Sequence, residues 1–275
     1  MPFVQLSNVR LEYFRHGHGP EVLLLVHGFQ ASSRIWHWVQ QALPADRYTT
    51  IALNNRGAGG SDAPPREEDY GVEIFAADAH EAITQLAPGR FTLVGHSLGG
   101  PTAACFAVQW PHLLKGLVLL DPADPDGREM PDADLEAFID ARMAARRAQR
   151  VQGRGGDGIT ANAEPSALEE PMRALLADMA AAPEVRLRGS LRSMFKVRRG
   201  AQLRALDVPS LLVGGDADEL IPVASMLGTW AKLPAGAGLH FWHGVGHSPN
   251  MQCPQALADV LRHFVEVTIP ARTPH

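Results

Sequence analysis

The chain has 275 residues, 45% of them hydrophobic and 20% charged, with a formal net charge of -5; a chain of this length buries about three quarters of its unfolded surface and needs no staples. Its two cysteines, Cys105 and Cys253, form neither a disulfide framework nor a metal-ligand cluster, and the mild negative charge gives no reason to bind nucleic acid or an anionic membrane. Gln5, Asn8, Arg10 and Glu12 break up the N-terminal apolar residues as no secretory signal does, and no apolar run approaches the roughly 20 residues that span a bilayer, so a soluble cytoplasmic protein with no membrane or nucleic-acid partner is expected.

Val4, Leu6, Val9, Leu11 and Tyr13 alternate with polar residues around Ser7 and Asn8, which predicts an antiparallel hairpin. Residues 21–26 are a continuous apolar strand, the mark of a strand covered on both faces. His27-Gly28-Phe29 and an amphipathic segment over 33–43 follow. A second unit places a strand over 48–53, a glycine-rich loop over 54–62 and a helix from about Val72 to Leu86, whose Ile74, Phe75, Ala82, Ile83 and Leu86 keep helical spacing. A third runs from Phe91 through Gly95-His96-Ser97-Leu98-Gly99-Gly100 into a helix over 101–110. Strands over 117–120, 210–213 and 239–242 then lead to Asp121, to Gly214-Gly215-Asp216-Ala217-Asp218 and to Gly246-His247, and a helix over 255–267 closes the chain. Such alternation defines an α/β fold: a mostly parallel twisted sheet, right-handed crossovers and helices on both faces.

Residues 123–200 break the alternation. They carry no convincing strand and read as an inserted helical cap. Leu135, Phe138, Ile139 and Met143 share one helical face, as do Leu187, Leu191, Met194 and Phe195, and Pro171 is placed to open a helix between them. Met130, Met143, Met172, Met179 and Met194 all fall here; methionine suits irregular apolar surfaces, whether a packing interface or a lid over an apolar pocket. Arg142, Arg146, Arg147 and Arg150 read as a solvated face. Residues 153–158 satisfy G-x-G-x-x-G, but no strand precedes them, so they read as a loop and not as a dinucleotide site.

The pattern Gly95-x-Ser97-x-Gly99 between a strand and a helix reads as a nucleophile elbow, in which a strained turn holds a serine at a strand tip and the residues two before and two after must be nearly featureless. A bare match arises by chance in about one chain in ten of this size. The preceding apolar run, the following helix and a later aspartate and histidine in the order Ser, Asp, His supply the context. Serine needs a base to take its proton as it attacks a carbonyl, and His247, whose neutral form is available near pH 7, is the candidate. Asp121, Asp216 and Asp218 all follow strands on the edge where such a site forms. His27 and His96 read as hydrogen-bonded structural residues beside it; His240 falls inside the last strand and His243 precedes the turn at 244–246. Trp36 and Trp38 pack the first crossover helix, and Trp36, Met143, Met194 and Phe195 are candidate walls of a substrate pocket.

Val26-His27-Gly28-Phe29, the loop from Asn54 to Ser61, Gly95 to Gly100, Gly215-Asp216-Ala217-Asp218-Glu219-Leu220-Ile221-Pro222 and Gly246-His247-Ser248-Pro249 together resemble the α/β-hydrolase family over nearly the whole chain outside the insert. The resemblance implies that fold, with a core of residues 1–122 and 201–275 and a cap of residues 123–200. It also implies Ser97 as nucleophile, His247 as base, and an oxyanion hole made by the backbone N–H groups of Phe29 and Leu98. Asp218 is implied as the acid because the family's acid stands four residues before the proline of such a segment. Asp121 is the alternative, since the fold can supply a carboxylate from the preceding strand end; Asp216 reads as a turn residue bonding local N–H groups. Asn54, where aspartate is common, and Gln252, where many relatives carry glutamate, depart from the pattern. Serine at the elbow argues against the haloalkane dehalogenases and epoxide hydrolases, whose nucleophile is an aspartate. The activity expected is hydrolysis of a carboxylic ester, thioester or lactone of a small, partly apolar molecule through an acyl-serine, with no cofactor and no metal. A carbon–carbon bond hydrolase, a cofactor-free perhydrolase and a non-catalytic binding protein remain alternatives on the same fold.

Overall fold

A computed structural model describes residues 2–151 and 168–272. The glycine-rich stretch 153–158 and the Arg150 side chain lie outside the described residues. In chain order the elements are β1 (Phe3–Gln5), β2 (Arg10–His16), β3 (Glu21–Val26), α1 (His37–Ala42), β4 (Tyr48–Leu53), α2 (Val72–Leu86), β5 (Phe91–His96), α3 (Gly99–Gln109) and β6 (Leu114–Leu120). The helices α4 (Asp132–Val151), α5 (Glu170–Ala181), α6 (Glu184–Lys196) and α7 (Gly200–Arg204) follow, then β7 (Ser210–Gly215), α8 (Val223–Trp230), β8 (Gly238–Trp242), α9 (Pro249–Gln252) and α10 (Pro254–His263).

The eight strands form one sheet in the order β1-β2-β4-β3-β5-β6-β7-β8. Pairing is antiparallel for β1 with β2 and β2 with β4, and parallel across the rest. The apolar runs are continuous because each strand feeds two cores. Leu24, Val26, Leu93, Leu117 and Leu119 point to the face where α2 and α3 contribute Phe75, Ala79 and Phe106. Leu23, Leu25, Val94, Val118 and Leu120 point to the other, where Val39 of α1 and Leu257 and Leu261 of α10 meet them. Each fully buried leucine contributes about 2 kcal/mol of transfer free energy, so neither face can be left uncovered.

From β3 the chain crosses to β4 on one side and then to β5 on the other, so Val26 and Gly95 pair across the point where strand order reverses. Open α/β sheets bind ligands in the crevice at such a point, beyond the carboxyl ends of the strands. The segments that follow β3, β5, β6, β7 and β8 therefore share one edge.

Between β6 and β7 the elements among the described residues are helices, with Pro171 in the first turn of α5. Leu135, Ile139 and Met143 of α4 pack against Leu187 and Leu191 of α6. The expectation of a solvated arginine face fails at Arg146. Its terminal nitrogen donates to the carbonyls of Met179, Ala180 and Ala182 at 3.1, 3.1 and 2.8 Å, satisfying acceptors that the end of α5 leaves without a helical partner. Arg147 lies exposed against Glu184 at 2.7 Å.

The helices are tied to the sheet domain by charge. Arg192 and Arg188 of α6 reach Glu67, Arg34 reaches Asp178 of α5 at 3.0 Å, and the hydroxyl of Ser193 accepts the N–H of Val72 at 2.9 Å. Arg186 goes deepest. It is 3% exposed, and its terminal nitrogens donate to the carbonyls of Gly57 (3.2 Å) and Ala31 (2.9 Å). Burial pushes its pKa down to about 10, still high enough to keep the cation at neutral pH. Arg186→Leu should strand both carbonyls without donors and lower stability by about 2 kcal/mol, or roughly 4–8 °C in Tm. A thermal midpoint equal to that of the parent protein would show that the junction does not depend on this residue.

Candidate active site

Ser97 lies between β5 and α3 with φ +54, a left-handed conformation that costs a side-chain-bearing residue of order 1–3 kcal/mol and persists only where its surroundings enforce it. Here the surroundings are glycines. A Cβ on Gly95 would fall 2.1 Å from the Gly99 carbonyl oxygen, and one on Gly99 would fall 2.5 Å from that of Val26. The turn is bonded on both sides: the Ser97 N–H donates to Leu120 O at 3.0 Å, and the Ser97 carbonyl accepts from Gly100 (2.8 Å) and Ala123 (3.1 Å).

Three strand spacings, roughly 14 Å, separate β5 from β8, so the segment after β8 must run back across the strand ends to reach Ser97. His96 holds it there by donating from Nε2 to the backbone oxygen of His247 at 2.7 Å. Burial first, then the charge of His247, push the His96 pKa down to about 3, so the ring is neutral and donates through that nitrogen. His247 Nε2 then lies 3.0 Å from Ser97 Oγ, and its Nδ1 lies 2.7 Å from Asp218 Oδ2. Asp218 is buried, and its Oδ1 accepts the N–H groups of Leu220 (2.7 Å) and Ile221 (2.9 Å). Burial alone would raise this carboxyl, but the His247 bond and charge and the two N–H groups outweigh it and hold the pKa below the usual carboxylate range. An ionised Asp218 can only accept, so Nδ1 of His247 carries the hydrogen and Nε2 presents its lone pair to the serine hydroxyl.

The other two aspartates fall elsewhere. Asp216 is partnered with the exposed His243 at 2.8 Å and with the Gly244 N–H at 2.7 Å. Asp121 is fully buried at the end of β6 and has φ +39. Its Oδ1 accepts from the Gly215 N–H at 3.0 Å. One donor atom each from Asp121, Asp218 and His247 lie within 4.8 Å of one another. We read no metal site in this cluster, because Nδ1 of His247 and Oδ2 of Asp218 are already committed to each other.

The loop after β3 brings backbone against the serine: a Cβ on Gly28 would lie 2.9 Å from Ser97 Cβ. His27 anchors that loop, with Nδ1 bonded to Gly28 O (2.8 Å) and Nε2 accepting the Asn55 N–H (3.1 Å). Burial first, then the nearby Arg186 charge, push its pKa down to about 3. Among the described residues, the N–H groups of Phe29 and Leu98 donate to no backbone or side-chain acceptor. The two departures from the family pattern have partners here. Asn54 donates to Glu12 at 2.6 Å while accepting the Ser33 N–H, which an aspartate could not do, and Gln252 accepts the Gly246 N–H at 2.7 Å beside His247.

A cavity of about 1000 Å³ opens onto Ser97 and His247, walled by Ile35, Leu175, Met179, Leu191, Met194 and Phe195. Met194 and Phe195 line this cavity, and Trp36 and Met143 do not. Trp36 is fully buried in the core under the sheet, edge-on to His96, and Met143 is spent on packing α4 against α6. Leu175 and Met251, which also line the cavity, carry no sequence signal that separates them from core residues.

A family model described as the alpha/beta hydrolase fold matches residues 21–254, and the chain belongs to that family. It is 28% identical over 275 residues to a 2-(acetamidomethylene)succinate hydrolase of Mesorhizobium japonicum, covering 96% of this chain and 94% of that protein. It is also 28% identical over 262 residues to a pimeloyl-[acyl-carrier protein] methyl ester esterase of Aeromonas salmonicida, covering 91% and 97%. A thermophilic esterase from Thermogutta terrifontis superposes with a TM-score of 0.79 at 22% identity over 98% of this chain and 99% of that one, a likeness of fold. No helix among the described residues is long and apolar enough to cross a membrane.

The glycine contacts make a direct test. Gly95→Ala should cost about 3 kcal/mol or prevent folding, because its new methyl meets backbone that cannot yield. A variant as stable as the parent in urea would show that the turn has more room than its 2.1 Å contact implies.

Proposed function

We propose that the protein is a serine hydrolase of carboxylic esters, thioesters or lactones that works through an acyl-Ser97 intermediate. The observation that carries the reading is the hydrogen-bonded series from Asp218 to His247 (2.7 Å) to Ser97 (3.0 Å) on the wall of a cavity with both apolar and polar lining. His247 Nε2 takes the serine proton as Oγ attacks the carbonyl. Asp218 keeps the ring in the required tautomer and stabilises the imidazolium that forms. The N–H groups of Phe29 and Leu98 receive the negative oxygen of the tetrahedral intermediate, a contribution of about 3 kcal/mol per donor in serine hydrolases. His247 then protonates the leaving group, and in the second half-reaction it draws a proton from the water that releases the acid. Residues 123–200 serve as the cap and residues 1–122 and 201–275 as the catalytic core. The substrate is a small, partly apolar molecule handled in the cytoplasm without a cofactor, a setting in keeping with free Cys105 and Cys253. The relatives described as a hydrolase and a methyl ester esterase support the same class.

A fluorophosphonate should label Ser97 alone, and Ser97→Ala should abolish both labelling and turnover of a short p-nitrophenyl ester while the protein stays folded. Asp218→Asn should lower kcat by several powers of ten and Asp216→Asn by less than about threefold. Labelling of another serine, or the reverse order of the two aspartates, sinks the assignment. The cavity wall sets a second expectation: Leu191→Ala and Phe195→Ala should shift the preferred acyl chain length upward with little change for an acetate, whereas Met143→Ala should cost stability of about 2–4 kcal/mol with the preference unchanged. Equal effects of all three on every chain length would remove the cavity from the account of selectivity.

A further inference from the structure

Asp121 is fully buried at the end of β6, and only one of its two carboxyl oxygens has a fixed donor, the Gly215 N–H at 3.0 Å. The other, Oδ2, has no donor among the described residues. A buried carboxylate oxygen without a donor is costly. What faces the carboxyl decides how that cost is avoided. Asp218 stands beside it on the loop after β7 and His247 on the loop after β8, with one carboxyl oxygen of each aspartate and one ring nitrogen of the histidine within 4.8 Å of one another. Cys253, between α9 and α10, also comes near, its thiol pushed up by burial and by Asp121. His96 of β5, whose ring centre lies 5.0 Å from that of His247, is kept neutral by burial. Among the described residues no lysine or arginine partners Asp121, so no cation compensates a second negative charge beside Asp218.

Two carboxylates this close in a dry site cannot both ionise. Asp218 holds the stronger claim to the charge, since it accepts two N–H groups on Oδ1 and the His247 ring on Oδ2. A carboxylate offers about four acceptor positions, so three are filled and one, on Oδ2, remains open, with a carboxyl oxygen of Asp121 within 4.8 Å of the cluster. We propose that Asp121 is a neutral carboxylic acid in the folded protein and donates its proton to Asp218, which makes it the residue that positions the Asp218 carboxylate against His247. This rests on the reading of Asp218 as the partner of His247 in catalysis. Burial, chiefly, and the charge of Asp218 and the bond between the two carboxyls raise the Asp121 pKa to about 8 against the opposing Gly215 N–H, in keeping with the geometry. The proton lies on the group that does not touch the imidazole, and the charge stays on the group that does.

The sign of the linkage follows. Between the ordinary value of 3.8 and about 8 the folded protein holds a proton on Asp121 that the unfolded chain has released. Stability referable to this group is therefore fully present below about pH 4 and falls as pH rises toward 8. Asp121→Asn is the close mimic of the neutral acid, with an oxygen for the Gly215 N–H and an N–H₂ for Asp218. Its thermal midpoint minus that of the parent should increase with pH across this window, by roughly 5 °C or more between pH 5 and pH 8. An infrared difference spectrum at pH 7, parent minus variant, should contain the carbonyl band of a protonated carboxyl, absent above about pH 9. On an ester substrate Asp121→Asn should keep kcat within about threefold, while Asp121→Leu should lose roughly 10- to 100-fold, the worth of a hydrogen bond to a charged group. A midpoint difference that is constant with pH, the absence of the band, or a thousandfold loss of kcat in Asp121→Asn would each overturn the proposal. The thermal and infrared measurements need no turnover. Failure of the parent to hydrolyse any ester would count against the hydrolase reading and leave this inference to be decided by those two.

Discussion

The close approach of Gly95 to Gly99 is the contact on which the rest of the site depends. With room for no Cβ at either position, α3 can begin where β5 stops, and the residue between them is driven to φ +54 with its side chain clear of both elements. The sheet supplies the force that holds this strain, because β5 is flanked on both sides by parallel partners whose apolar side chains fill two cores. A local cost of order 1–3 kcal/mol is small against several leucines buried at about 2 kcal/mol each.

Around that turn the edge of the sheet is arranged by charge. Two histidines near Ser97, His27 and His96, are buried and neutral; His27 through both ring nitrogens and His96 through Nε2 bond the loops that hold the backbone around the serine. His247, partly exposed on the cavity wall, is bonded to an ionised carboxylate. A dry site tolerates few charges, and of the groups bonded to His247 Asp218 is the ionised one. A neutral Asp121 fits the same rule, since a second anion behind Asp218 would have no cation to answer it.

Much of this was legible in the sequence, and the physical reasons separate what was from what was not. Continuous apolarity marks strands buried on both faces, so β3 and β5 stand where the pattern puts them, and glycine spacing marks the turn because only glycine permits the approach. The order Ser97, Asp218, His247 follows from strands that end on one edge. Asp121 directly follows β6 and Asp218 stands three residues beyond β7, and composition cannot say which is ionised, because that depends on N–H groups and neighbours supplied by other segments. Period 3.6 identifies the apolar face of α4 but not which turn meets α6 and which meets a cavity, so Met143 and Met194 read alike and end differently. Arg146 resembled its exposed neighbours because nothing in α4 reveals that α5 ends beside it.

The helix α6 does two things at once. Arg186 and Arg192 reach from it to carbonyls and carboxylates of the sheet domain, and Leu191, Met194 and Phe195 of the same helix line the cavity. Because a helix translates as a rigid rod, a shift at the arginine face moves the cavity wall by a similar distance. The ion pairs of Arg192 are partly exposed and individually weak, whereas Arg186 is buried and lies within one and a half helical turns of Leu191. Cavity shape is therefore set as much by two backbone carbonyls at Ala31 and Gly57 as by the side chains a substrate would touch. Ala31 belongs to the same loop as Gly28 and Phe29, so the contact that fixes the wall also bears on the backbone beside Ser97.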